Sequence, residues 1–105
     1  DASAEIVEEG RGHIIFKPLN PHTRGHVLVV PKRHVSNAVE SPRVAGKMTK
    51  VAAEYLRAQG PQGNLLTSSG ADATQTVDHL HVHVIPRGPS HDLPADWPWM
   101  REGKS

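Results

Sequence analysis

Short apolar runs broken by proline and glycine open the chain, and they have the length of strands. Glu5–Glu8 reads as a short edge strand, and Gly10–Arg11–Gly12 after it as a turn. His13–Lys17 carries Ile14, Ile15 and Phe16 and stops at Pro18, as a strand would. Leu19 to Gly25 holds Asn20, Pro21 and Gly25 and reads as a loop. His26–Val30 is a second, strongly β-branched run that ends at Pro31.

The period then changes from two to that of a helix. Ser41 can cap the first free amides and Pro42 suits the first helical position. Val44, Ala45, Met48, Val51, Ala52, Tyr55 and Leu56 form one apolar stripe, with Lys47, Lys50, Glu54 and Arg57 on a solvated face. Gly60–Pro61 ends the helix. Asn64 to Ser68 is a further strand candidate, Ser69 to Thr74 a small polar loop, and Val77 to Ile85 the last strand, stopped by Pro86. On that strand Leu80, Val82 and Val84 share one face and can pack under the helix, while His79, His81 and His83 share the other. Pro89, Pro94 and Pro98 make residues 88–105 an extended tail, with Trp97 and Trp99 near its end. Strands, one long helix and strands again predict a single α+β domain over residues 1–105 with an antiparallel sheet. A doubly wound parallel sheet would need more crossover helices.

Composition sharpens this picture. With 105 residues, 36% hydrophobic and 4% aromatic, the chain can build only a thin core, and pairing with a second copy is one way to bury more. Lys and Arg number 12 against 11 Asp and Glu, so no basic excess points to nucleic acid. The absence of cysteine rules out a disulfide scaffold, a thiol nucleophile and a Cys-ligated metal. No apolar run approaches the roughly 18–20 residues of a membrane span. A cytoplasmic protein with neither nucleic acid nor membrane as partner is the expectation.

The unusual feature is the count of 8 histidines, three of them packed into His79–His83. On a strand, side chains two apart lie roughly 6–7 Å from each other. Such imidazoles can share a zinc or iron. A metal site would want a further ligand, but Asp78 has the wrong parity and Asp72 and Asp92 lie in loops. They can equally serve phosphoryl chemistry, one attacking phosphorus while its neighbours donate to the oxygens. Ser68, Ser69, Gly70, Gln75 and Thr76, just upstream, are the materials of an anion cradle.

Gln75 to Arg87 resembles the signature of the histidine triad (HIT) family of nucleotide-binding proteins. The pattern His-φ-His-φ-His-φ-φ, with φ apolar, is matched at every position from His79 to Ile85. Phe16 to Val35, with Gly25–His26 followed by Val27–Val30, Pro31–Lys32 and His34, is similar to the family's other conserved segment. The resemblance implies an antiparallel, roughly five-stranded sheet with a long helix on one face, a homodimer, and no cofactor or metal. It implies a purine nucleoside monophosphate or its adducts as the ligand, and a hydrolase or nucleotidyl transferase working through a nucleotidyl-histidine.

By the same resemblance His81 matches the nucleophile, His83 a phosphate contact and His79 an orienting member. Thr76 matches a hydroxyl serving the leaving group, and Gln75 a phosphate-contacting amide. Phe16 and Leu19 match the lining of the base and ribose pocket, and His26 lies close to the site. Three positions depart from the family pattern. Ser68 stands where Asn is common, Pro18 where an Asp holds the ribose, and Ala73–Thr74 where Gly-Gly often precedes Gln. Asn20 is the candidate to replace the missing ribose contact. These departures keep a binding module with little turnover as the rival reading, ahead of a His-ligated metal enzyme.

Overall fold

The apolar runs become strands in the computed structural model, which describes residues 5–19, 21, 24–60, 62–75 and 77–87. β1 is Glu5–Glu9, β2 His13–Lys17, β3 Val27–Pro31, β4 Gly63–Leu66 and β5 Val82–Pro86, with helix α1, Pro42–Gln59, between β3 and β4. The strands form one five-stranded sheet in the order β1-β2-β3-β5-β4. Every neighbouring pair is antiparallel. The α+β class and the antiparallel sheet are as the sequence predicts. The last strand enters the interior of the sheet, between β3 and β4, and so delivers the histidine segment to the middle of one face.

α1 starts where its cap chemistry places it. Ser41 Oγ accepts from the Val44 amide at 3.3 Å, Pro42 occupies the first turn, and the Gly60 amide closes the far end on the Leu56 carbonyl at 2.9 Å. Its buried residues are Val44, Met48, Ala52 and Leu56, spaced by four along one side. They pack on Ile15, Val27, Val29, Val82 and Val84, each no more than 1% exposed, with Val35 and Leu80 completing the cluster. Each such aliphatic side chain contributes about 1.5–3 kcal/mol on burial, so stability resides in this helix–sheet layer.

β1 contributes little by comparison. All five of its residues are exposed, and its register with β2 shifts between Ile6 and Glu8. Glu5 meets Lys17 at 3.7 Å, Glu8 meets His13 at 3.1 Å and Glu9 meets Lys32 at 2.8 Å. Exposed pairs of this kind are worth about 0–1 kcal/mol each. The hydrogen bond from Lys32, and then its charge, hold the Glu9 carboxyl below the ordinary value.

Strand parity divides the sheet into two working faces. Ile15, Val27 and Val29 point to the helix, whereas Ile14, Phe16, Leu28 and Val30 are half-buried on the opposite face. Cross-strand register stacks the second group, with Ile14 opposite Val30 and Phe16 opposite Leu28, and Leu28 in turn opposite His83.

The structure corrects several boundaries. β1 reaches Glu9, β3 begins at Val27 instead of His26, and β4 is Gly63–Leu66 instead of 64–68. The polar stretch after it holds a single 3-10 turn, Ala71–Ala73. The larger correction concerns the last strand. β5 is Val82–Pro86, not 77–85. Residues 77–81 make a tight bend instead, with the His79 amide on the Val77 carbonyl at 2.9 Å and the Leu80 amide on the Val35 carbonyl at 2.6 Å. These bonds satisfy the backbone without a partner strand. The alternation outlasts the strand, since Leu80 is buried while His79 and His81 are half-buried. The tail at 88–105, with Trp97 and Trp99, lies outside the described residues.

Gly63 begins β4 where the backbone passes close to its neighbours. A methyl group there would stand 2.8 Å from the Ile85 carbonyl oxygen and 2.9 Å from Leu56 Cδ1, whereas one at helical Gly46 meets nothing within 4 Å. Gly63→Ala is expected to lower stability by about 1–3 kcal/mol through overpacking. Gly46→Ala is expected to raise it by up to about 1 kcal/mol. Urea melts of the two variants check both signs.

Candidate active site

The site is assembled from the bend before β5, the end of β3 and the face of the sheet away from α1. His79 is turned into that bend so that its Nε2 lies 3.0 Å from the Pro31 carbonyl oxygen. A carbonyl can only accept, so the neutral ring carries its proton on Nε2 and presents Nδ1 as an acceptor. His34, exposed on the loop after β3, places its own Nδ1 3.3 Å from that nitrogen, with the two rings edge-on at 5.1 Å. His34 thus stands at the surface and contacts the first triad member from its outer side.

The main chain of His79 then sets the second. His81 Nδ1 lies 2.8 Å from the His79 carbonyl oxygen. The same logic puts the proton on Nδ1 and leaves Nε2 of the neutral ring with its lone pair. His83 stands edge-on to His81 with ring centroids 5.0 Å apart, and its Nδ1 is 2.9 Å from Nε2 of His26. His26 is only 3% exposed, directly behind His83. The triad is thus not the evenly spaced row of a continuous strand. It is two imidazole pairs, His34 with His79 and His26 with His83, linked through His81.

An apolar cleft of about 430 Å³ opens beside it. Its described walls are Ile6, Ile14, Phe16, Leu28, Val30 and Val77, together with His79 and His81. Ile6 and Val77 form open rims, 59% and 57% exposed. Of the sequence-predicted pocket residues, Phe16 lies in the wall. Leu19 is 70% exposed and is not among the wall residues. The alternation of β2 and β3 is the signal that could have found Ile14, Leu28 and Val30, and parity with the three histidines the one for Val77; Ile6 offers no such signal, because β1 buries no face.

Gln75 is held between the loops that flank the triad. Its Oε1 accepts from the Gly70 amide at 2.7 Å and from Asn37 Nδ2 at 3.4 Å. Its Nε2 donates to the Ser36 carbonyl at 2.7 Å and the Val77 carbonyl at 2.9 Å. Both ends of the amide are used in joining the loop after β3 to the loop before the triad. The preceding Thr74 takes φ of 68°, a left-handed conformation that a β-branched residue rarely adopts. Ser68 is half-buried between β4 and the 3-10 turn, and is not among the cleft wall residues. Thr76 and Asn20 lie outside the described residues.

A HIT-domain family model matches residues 1–90. The chain belongs to the HIT family. Its HIT domain is 37% identical to an uncharacterized HIT-like protein of Methanocaldococcus jannaschii, over 80% of this chain and 69% of that one. It is 33% identical to an adenosine 5′-monophosphoramidase of Schizosaccharomyces pombe, over 81% of this chain and 66% of the relative. The chain thus spans about two thirds of the length of these relatives. A HIT-like protein from Bartonella henselae superposes with a TM-score of 0.77 at 27% identity, covering 90% of this chain and 74% of its own.

If Gln75 is the tie between the two loops, Gln75→Leu should release both. The Gly70 amide is expected to lose its protection in hydrogen exchange, with a local cost of about 1–3 kcal/mol for the polar groups left behind. The amides of β2 should be unaffected.

Proposed function

We propose that this HIT domain is a nucleotide hydrolase or nucleotidyl transferase. Its substrate is a purine nucleoside monophosphate joined through phosphorus to a leaving group, as in a phosphoramidate or a dinucleoside polyphosphate. One observation carries the reading: the His81 ring is locked by the His79 carbonyl in the tautomer that keeps Nε2 nucleophilic, at the edge of an apolar cleft large enough for a nucleoside. The name of the fission-yeast relative supports an amide-linked leaving group.

In the first step Nε2 of His81 bonds to phosphorus as the bond to the leaving group breaks, and the leaving group departs with a proton taken from solvent. Water then attacks phosphorus, giving a proton back to solvent as the bond to Nε2 breaks, which releases the nucleoside monophosphate and the free imidazole. His83, backed by His26, contacts the phosphate oxygens, and His79 holds the ring of His81. Gln75 serves by holding the loop, and Phe16 lies against the base. Among the described residues no group of three His, Asp or Glu side chains is placed to hold an ion.

We read the assembly as a homodimer. β4 is an edge strand whose outer side pairs with no strand among the described residues, and Ala53, Leu56 and Leu65 line an open groove beside it. An unprotected edge next to apolar side chains favours covering by another chain. Sedimentation at micromolar concentration should give twice the 11.4 kDa chain mass; a sole species at 11.4 kDa would overturn this reading.

The chemistry has its own test. His81→Asn should lower turnover of adenosine 5′-phosphoramidate by roughly 10³-fold or more, while AMP affinity stays within about threefold, because the lost interaction belongs to the transition state. Near-parental turnover in His81→Asn would remove the nucleophile assignment. A parent protein that binds AMP and turns over no adenylated substrate would establish the binding-module reading.

A further inference from the structure

His81 occupies an exposed position in the architecture of the sheet. The in-register pairs of β5 with β3 end at Val29 opposite Val82, and those with β4 end at Leu66 opposite His83. The residue carrying the reactive ring therefore lies beyond the end of both ladders. Its ring is held by the His79 carbonyl, and that carbonyl belongs to a bend, not to a strand. One side chain reaches across to the main chain of His81. Thr67, the first residue after β4, has its Oγ1 2.8 Å from the His81 carbonyl oxygen.

We propose that Thr67 is a positioning residue for His81: its hydroxyl donates to the His81 carbonyl and extends the β4–β5 ladder by one tie to the residue that bears the nucleophile. The proposal rests on the reading of His81 as nucleophile. Thr67 is not itself among the cleft wall residues, and its hydroxyl meets the main chain of His81 instead of the ring, so it acts through the backbone of His81. The physical need is specific. A strand end frays, and a reacting atom misplaced by about 1 Å can cost roughly 10²-fold in rate. A strand-forming residue alone would not meet that need, since Val has the same shape and an equal preference for strands but no hydroxyl.

That contrast supplies the experiment. Thr67→Val keeps the volume and removes the donor; Thr67→Ser keeps the donor. With adenosine 5′-phosphoramidate, Thr67→Val is expected to lower kcat about tenfold with KM within twofold of the parent, the pattern of a lost transition-state alignment. Thr67→Ser should stay within twofold on both. A Thr67→Val enzyme with parental kcat would overturn the proposal. So would a Thr67→Ser enzyme as slow as Thr67→Val, because shape and not the hydroxyl would then matter. A rise in KM alone would also overturn it.

A second measurement keeps the proposal testable if the parent turns over no such substrate, an outcome that would refute the proposed activity instead. Imidazole ¹⁵N spectra of the ligand-free protein should show His81 as a single Nδ1-protonated tautomer in the parent and in Thr67→Ser. Thr67→Val should show averaging between the two tautomers as the ring loses its fixed distance to the His79 carbonyl. An unchanged His81 tautomer in Thr67→Val would overturn the positioning role independently of turnover.

Discussion

The structure depends on one constraint, the two-residue alternation from His79 to Val84. Leu80, Val82 and Val84 are driven under α1 by the gain from burying aliphatic surface, and each is no more than 1% exposed. Once those three are fixed, His79, His81 and His83 have no choice but the other face. The core thus places the chemistry without spending any of its own residues on it. A slip of one residue would bury three imidazoles and expose the core, so register and site are specified by the same side chains.

From that face the rest of the site follows by hydrogen bonds to the imidazole rings. Imidazole nitrogens are aimed at groups that only accept, the Pro31 and His79 carbonyls, and tautomers are set one after another. His34 and His26 close the two ends of this series on His79 and His83. Backbone carbonyls are good at this task because their positions are held by the ladder of β3 and by the bend, and need no rotamer of their own.

Much of the fold was legible beforehand because its signals are local. Ser41–Pro42, the stripe from Val44 to Leu56 and Gly60 define α1 to within a residue, and the prolines after Lys17 and Ile85 mark strand ends. What was not legible is where a run of strand-like pattern leaves the sheet. Leu80 keeps its buried side between half-buried His79 and His81, yet the segment from Val77 to His81 bends, because the Val35 carbonyl, far away in sequence, takes the Leu80 amide. The same limit applied to the site. His79, His81 and His83 announce themselves by spacing and Phe16 by the family resemblance, whereas the work done by Gln75 and Thr67 depends on which groups the folded chain brings to them. Leu19 shows the converse, an apolar residue near the motif that the loop leaves in solvent.

The uneven strength of the sheet has a consequence for how such a protein can change over evolutionary time. One wall of the cleft, Ile6, belongs to β1, whose five residues are all exposed and which is held by its backbone ladder with β2 and by surface ion pairs. Replacing a residue at such a position shifts stability by no more than about 0.5 kcal/mol. The opposite wall, Leu28 and Val30, sits on β3, whose neighbours Val27 and Val29 belong to the core. The shape of the cleft is therefore free to drift from the β1 side, where new side chains can be tried at almost no risk to folding, while the side that carries the histidines stays anchored to the core.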